Sequence, residues 1–307
     1  MNHLIHIAVF SGLGAGLVAI IATLAIERLG GQLGGIIGTL PTTIIPASWG
    51  LWQQHFYDLS MNPTEYNSQA MLLALEHFSA AMYAVPAGMC LNAIFLWFWR
   101  FIPRHSLWIE EQQKRSTNVL KAVAIMSIVT LSIWLVGAVL WVTFSRYVLL
   151  TSDLQLQAGI VASLLIVILG GWATFTQEVA PKGANKVSLK TLLLRGVCAA
   201  SAVATAVLIS KTGASTFSGV AAVFPAIFWT TMVSLWLSQG QAVPAGAVGP
   251  MMLGSSSVAI FALSAPSSYI LFGPFIGSLL SWFISACFAS VPSYFWLKSR
   301  QKTKEKN

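Results

Sequence analysis

An acid and an imidazole stand side by side inside one of the long apolar runs of this chain. Glu76 and His77 lie roughly two turns, about 10 Å, into the run 69–101. An ionisable group inside a membrane span is costly and is a functional candidate by default. Histidine titrates near neutral pH, so the pair could couple transport to protons. The alternative is that the span starts later and both side chains lie at the membrane interface.

Glycine, proline and threonine are concentrated in residues 30–46. Glycines spaced four apart let helix backbones approach closely, and the chain has them at Gly30, Gly34 and Gly38, and at Gly31 and Gly35. Pro41 removes an amide donor in mid-span and can free a carbonyl, beside the hydroxyls of Thr42 and Thr43. A freed carbonyl should face protein or a water-filled cavity. The segment therefore predicts either a tight helix contact or part of a solute pathway.

Further polar and small residues lie inside other apolar runs. Asn92 is deep in the run 69–101 and needs a partner or a cavity. Gly219 is a candidate for helix packing, because a small residue lets backbones approach. The full set of substrate-pathway candidates is Pro41, Thr42, Thr43, Glu76, His77, Asn92, Ser218, Pro225, Ser256 and Ser257. Serines also pack well between membrane helices, and that remains their alternative explanation.

Signals of enzymatic chemistry are missing from the sequence. The five histidines show no metal-ligand spacing, and no phosphate-binding loop or Ser-His-Asp set can be proposed. The three cysteines are far apart in apolar runs and form no disulfide or CxxC pattern. We therefore expect no enzyme, no cofactor and no metal.

Composition determines the class of protein that carries these residues. Hydrophobic residues make up 56% of the 307 and charged residues only 8%, against about 25% charged in a typical soluble protein. The apolar residues form continuous runs of about 20 or more, which predict membrane-spanning helices. The net charge of +8 comes from loops and from a basic tail, where the positive-inside rule expects it, so we expect no nucleic-acid partner.

We predict about nine spans, at residues 4–26, 30–52, 69–101, 119–144, 155–174, 191–210, 214–238, 246–272 and 274–297. A polar loop follows the second span at residues 53–68. The third span contains Pro86 and could be one kinked helix or two, which would give ten. Nine spans with the N-terminus outside put every Lys and Arg except Arg146 and Lys211 on the cytoplasmic side. The expected location is the inner membrane, with a cytoplasmic C-terminus.

The chain repeats itself internally. Residues 12–52 align without gaps onto residues 196–236, with matches that include Gly12 and Gly196, Pro41 and Pro225, and Trp52 and Trp236. After a gap of four residues in the loop, Pro86 meets Pro266. Five spans separate equivalent helices, and an odd number inverts the second copy relative to the first. The sequence thus predicts an all-α fold of two inverted four-helix repeats, residues 1–144 and 191–297, joined by a connector, 145–190, and followed by a tail, 298–307.

The first repeat resembles the small GlpM-type bacterial inner-membrane proteins. The resemblance rests on FSGLGAGLVAI in span one, GGIIGTLPTTIIPA in span two and the proline-bearing AAMYAVPAGM in span three. Those proteins are about one repeat long, so this chain looks like a fused, duplicated relative. The resemblance implies a membrane fold and no particular substrate.

The inverted repeat favours a secondary transporter or permease that moves a small solute by alternating access. The expected partners are the lipid bilayer and that solute, which the sequence does not identify; whether the chain forms a homo-oligomer stays open. Two alternatives remain: a non-transporting accessory or scaffold component of envelope assembly, and a channel.

Overall fold

The computed structural model describes residues 2–29, 40–61, 68–105, 119–175, 188–210, 212, 214–239 and 242–306. Within these ranges the chain is helical almost throughout and has no strand. The helices, numbered along the chain, are α1 Asn2–Leu29, α2 Ile44–Met61, α3 Ser68–His105, α4 Val119–Val148, α5 Ser152–Phe175, α6 Leu189–Ser210, α7 Ser215–Ala222, α8 Ala226–Gln239, α9 Ala242–Ser285 and α10 Val291–Lys306, with a π-helical turn at Ala286–Ser290 between α9 and α10.

Seven stretches of the described residues are long and apolar enough to cross a membrane, which makes the chain an all-α membrane protein, as expected. The longest stretch, Ala245–Arg300, is interrupted inside α9 at Gly273, whose φ of 74° is left-handed and suits glycine. Beyond this glycine the chain folds back on itself. The hydroxyls of Tyr269 and Ser278, on either side of the break, lie 2.6 Å apart. The break falls between the predicted spans 246–272 and 274–297. The total of nine spans stays a prediction, since residues 30–39 lie outside the described ranges.

Helix α1 shows how lipid-facing and protein-facing sides divide. Phe10, Leu13 and Leu17 are between 58% and 77% exposed, whereas Ala8 and Ala15 on the other side are buried. In water this pattern would be reversed. In a membrane, large apolar side chains meet lipid, and small ones let neighbouring helices come close.

The buried side of α1 packs against α6, and the two helices run antiparallel. A Cβ atom added to Gly12 would lie 2.6 Å from the carbonyl oxygen of Ala200, and one added to Gly16 would lie 2.7 Å from that of Gly196. Rising residue numbers in α1 thus meet falling numbers in α6. Glycine is required at these positions because backbone atoms of the partner helix occupy the space of a side chain.

Helix α3 is the centre of the fold and packs against α2, α4, α5, α7 and α9. Near its start, Phe78 meets Trp52 of α2, with ring centroids 5.1 Å apart. Near its end, Trp99 meets Trp236 of α8 at 5.8 Å. Phe78 and Trp99 are roughly 30 Å apart along the helix at 1.5 Å per residue. Trp52 and Trp236 therefore lie towards opposite ends of α3.

The structure moves the predicted end of the second span and decides between the two alternatives for the third. The polar loop does not begin at residue 53, because α2 continues to Met61. No proline or glycine interrupts this extension, and Trp52 stacks on Phe56 one turn later at 3.8 Å, which favours the helix. The third predicted span is one helix that runs through Pro86, not two.

Candidate functional site

A cavity of about 470 Å³ lies among α1, α2, α3, α6, the end of α7, α8 and α9. Most of its wall is apolar, formed by alanine, valine, leucine, isoleucine, phenylalanine and methionine. The polar side chains in the wall are Thr23, Thr42, Thr43, Asn92, Arg195, Thr231, Ser234, Ser255 and Ser257. The cavity thus combines an apolar body with a few polar groups, as small-molecule sites usually do.

Two non-helical segments reach the cavity. Residues 40–43, which include the buried Pro41, precede the start of α2, and residues 223–225, which end in Pro225, separate α7 from α8. A proline has no amide hydrogen, so it cannot make the backbone hydrogen bond that would continue a helix through that residue. A helix begins after each segment, at Ile44 and at Ala226, and both of these residues line the cavity.

Asn92 binds the backbone at the second of these breaks. Its Nδ2 donates to the carbonyl oxygen of Val223 at 2.8 Å, and its Oδ1 accepts from the Trp134 indole at 2.7 Å. The indole can only donate and the carbonyl can only accept, so the two partners fix the orientation of the amide. Asn92 was predicted to need a partner, and that partner is the Val223 carbonyl, which lies in the non-helical segment between α7 and α8.

Arg195 is the functional candidate that the sequence prediction missed. It lies six residues into α6, it lines the cavity, and only 7% of its surface is exposed. Its Nη1 donates to the Thr23 hydroxyl at 2.9 Å, while its Nε is buried without a hydrogen-bond partner. The sequence prediction used Arg195 only as one of the positive charges that mark the cytoplasmic side. The available signal was its depth, since an arginine inside a span calls for an explanation.

The hydroxyl-bearing candidates divide into two groups. Thr42, Thr43 and Ser257 line the cavity. Ser256 lies outside the cavity wall and donates to the carbonyl of Leu253 in its own helix at 2.7 Å. Ser218 is fully buried in α7 outside the cavity wall, and its hydroxyl has no partner among the described residues.

Glu76 and His77 lie away from the cavity. Glu76 is exposed, and His77 is half-buried with its Nδ1 2.9 Å from the Ser215 hydroxyl. The ring of His77 stacks on His55 at 5.4 Å, and His55 in turn meets the Ser210 hydroxyl at 2.7 Å. The structure thus forms a histidine pair that the sequence prediction did not contain, because it assigned His55 to a loop.

The glycine predicted to pack in the second half does contact another helix. A Cβ atom on Gly219 would overlap the carbonyl of Ala81, so α7 lies directly against the backbone of α3. Gly88 of α3 meets Val223 at the end of the same short helix. The other predicted packing glycines lie outside the described residues: Gly30, Gly31, Gly34, Gly35 and Gly38.

No three His, Cys, Asp or Glu side chains of the described residues come together in a way that could hold a metal ion. Comparison of the chain with protein-family models, with curated proteins and with solved structures finds no match. The resemblance to the GlpM-type proteins therefore stays a prediction.

Proposed function

We propose that this membrane protein is a secondary transporter that moves a small solute by alternating access, with the cavity as its substrate site. The observation that carries the proposal is the position of the cavity between two non-helical segments at Pro41 and Pro225. These prolines correspond in the repeated sequence. Interrupted spans at corresponding positions of two halves are typical of the substrate sites of secondary transporters.

The cavity wall itself follows the repeat. Six pairs of wall residues are related by the constant offset that aligns the two copies: Ala15 and Ala199, Ala19 and Val203, Leu40 and Phe224, Thr42 and Ala226, Thr43 and Ile227, and Ile44 and Phe228. A cavity on a pseudo-two-fold axis would be lined in this way, by equivalent residues from both halves. A rocking motion that exchanges the roles of the halves would then open the same site to either side.

The contact between α1 and α6 supports an inverted arrangement of the two copies. Gly12 corresponds to Gly196, and Gly16 corresponds to Ala200. Gly12 meets Ala200 while Gly16 meets Gly196, which is the reciprocal pattern of a two-fold contact. The antiparallel course of these helices, and the tryptophans at opposite ends of α3, agree with the same symmetry. The proposal therefore retains two inverted four-helix repeats and nine spans, with the C-terminus in the cytoplasm of a cell with an inner membrane.

Proton coupling through Glu76 or His77 forms a second, separable part of the proposal. The Nδ1 of His77 meets the hydroxyl of Ser215, the first residue of α7, and this connects His77 to the helix that precedes the break at Val223. The test measures uptake by Glu76→Gln and His77→Ala at two pH values. Unchanged uptake with unchanged pH dependence in both variants would remove this part and leave the rest of the proposal standing.

The experiment that tests transport begins with a stability screen. Purified protein is heated with a panel of metabolites, since a ligand that binds the folded state raises the apparent melting temperature by mass action. Each stabilising compound is then assayed for uptake into proteoliposomes. Two variants of α6 form a matched pair: Ala199→Trp fills the cavity from its wall, whereas Val197→Trp, at a position that is 61% exposed, places the same side chain in lipid.

We expect saturable uptake and counterflow by the parent and Val197→Trp, with loss of both in Ala199→Trp. Stabilising compounds that enter no faster than into empty liposomes would instead support the accessory or scaffold alternative. Uptake that neither saturates nor shows counterflow would support a channel.

A further inference from the structure

We propose that the cavity binds an organic carboxylate with a largely apolar body, and that Arg195 holds its carboxylate group. This inference rests on the proposed function for its physiological meaning, although the binding site can be tested without transport. It starts from Arg195 in the cavity wall, a residue that is only 7% exposed and whose Nε has no hydrogen-bond partner. A buried donor without an acceptor is costly, and a buried charge without a counter-charge costs more.

The described side chains fix the position of Arg195 but do not neutralise its charge. The Thr23 hydroxyl donates its own proton to the Ala19 carbonyl at 2.7 Å and so can only accept from Nη1 of Arg195. That bond ties the guanidinium to α1 and adds no negative charge. Among the described side chains, Arg195 forms no ion pair with an aspartate or glutamate. A ligand that brought one negative charge and a pair of acceptor atoms would supply what is missing.

Two helix starts add to the same preference for an anion. The first turn of α2 contributes Ile44 to the cavity, and the first turn of α8 contributes Ala226 and Ile227. Amides of a first turn have no acceptor within their own helix, and the helix dipole makes this end positive, although the Ala226 amide already donates to the Phe224 carbonyl at 2.7 Å and Pro46 in the first turn of α2 has no amide hydrogen. Pointing such ends at an anionic group is a common device of transporter sites. Arg195 is the independent observation that places an anion-binding site here, because helix starts alone would show only a general preference for negative charge.

The remaining wall determines the rest of the ligand. Among the described residues, Arg195 is the one charged side chain that lines the cavity, and most of the wall is aliphatic or aromatic. An apolar body therefore fits better than a sugar or a second charged group. The planar guanidinium matches a carboxylate through two parallel hydrogen bonds. A monocarboxylate would balance its single positive charge.

The test measures binding to purified full-length protein in nanodiscs by the shift in melting temperature, at constant ionic strength. The probes are sodium hexanoate, the uncharged hexanamide of the same body, and sodium phosphate. Arg195→Met removes the charge, and Arg195→Lys keeps the charge but loses the planar fork. Lys190→Met makes the same change of charge at an exposed position of the same helix and is the matched control.

We expect hexanoate to stabilise the parent and Lys190→Met, with an apparent Kd at least about tenfold higher in Arg195→Met and an intermediate value in Arg195→Lys. Hexanamide should stabilise far less at equal concentration. If Arg195→Met does not fold, the comparison of Arg195→Lys with the parent decides, since the proposal requires weaker binding there too. Equal stabilisation by hexanoate and hexanamide, or stronger stabilisation by phosphate than by hexanoate, would overturn the proposal.

Glu27 provides one more decisive comparison. It follows Thr23 by one turn of α1, and its side chain lies outside the described part of the chain. If Glu27 neutralised Arg195, hexanoate would stabilise Glu27→Gln but not the parent, and that result would also overturn the proposal. Carboxylate binding without uptake of any compound would refute transport alone. The carboxylate site alone would be refuted if the protein bound no carboxylate but took up neutral or cationic solutes, and if Ala199→Trp blocked that uptake.

Discussion

Replacing Asn92 by alanine should destabilise the protein, because this one side chain joins three helical elements. It carries two buried hydrogen bonds, one to the carbonyl of Val223 at the end of α7 and one from the indole of Trp134 in α4. Both bonds connect α3 to another element, and all three residues are at most 8% exposed. Alanine leaves a carbonyl and an N–H group without partners in the protein interior.

The expected loss can be bounded from these two groups. A buried polar group left unpaired costs about 1–3 kcal/mol in soluble proteins. Hydrogen bonds between membrane helices average about 0.6 kcal/mol, with a maximum of about 1.7 kcal/mol. Two such groups therefore predict a decrease of about 2 kcal/mol in the free energy of unfolding. The measurement is reversible unfolding in mixed micelles, followed by circular dichroism so that the tryptophans do not bias the signal.

Two further variants sharpen this prediction. Trp134→Phe breaks only one of the two bonds and should cost less than Asn92→Ala, and the double variant should cost less than the sum, because both single changes remove the same contact. Thr143→Ala is the control: its exposed hydroxyl donates only to Val139 in its own helix and should change stability by less than about 0.5 kcal/mol. If the free energy of unfolding of Asn92→Ala equals that of Thr143→Ala, Asn92 does not have the proposed role at the break.

Three more predictions test the fold around the cavity. Gly219→Ala should lower the melting temperature and reduce the free energy of unfolding by about 1–3 kcal/mol, because the new methyl overlaps the Ala81 carbonyl. Gly171→Ala is the control and should not lower the melting temperature, because a Cβ there meets no atom within 4 Å. Tyr269→Phe should cost about 1 kcal/mol in unfolding experiments, because it removes the hydroxyl that meets Ser48 at 2.8 Å and Ser278 at 2.6 Å; an unchanged unfolding curve would contradict this. Cysteines at His3 and Lys190, the starts of α1 and α6, should react with a membrane-impermeant reagent from opposite sides; reaction from the same side would rule out inverted repeats.

The sequence predicted those features of the fold that depend on local covalent constraints. Pro41 and Pro225 were expected to weaken their spans, and the described backbone is non-helical at both, since proline acts on its own turn whatever surrounds it. The boundary between residues 272 and 274 coincides with Gly273, where a glycine followed by a proline permits the turn. The two inverted copies and the number of spans remain predictions, which the antiparallel contact of α1 with α6 supports.

The features that the sequence could not provide depend on distant contacts. The depth of Arg195 in its span called for an explanation, but no neighbouring residue in the sequence indicates a cavity, because Thr23, which holds it there, is 172 residues away. Long basic side chains near span ends usually reach the interface, so the count of positive charges gave Arg195 no role of its own. The pairing of His55 with His77 was missed for the same reason, since it required α2 to continue past residue 53.

Alternating access is tested most directly by single cysteines, one at Thr43 and one at Ile227, each in a chain whose three native cysteines are replaced by alanine. Thr43 lines the cavity at the first break, and its repeat equivalent Ile227 lines it at the second. Right-side-out and inside-out vesicles are treated with a membrane-impermeant thiol reagent, with a cysteine at the fully buried Ser218 as the unreactive control. If the cavity opens alternately, both cavity positions will react in both orientations. Reaction of both from one side only, or from neither, would contradict the account.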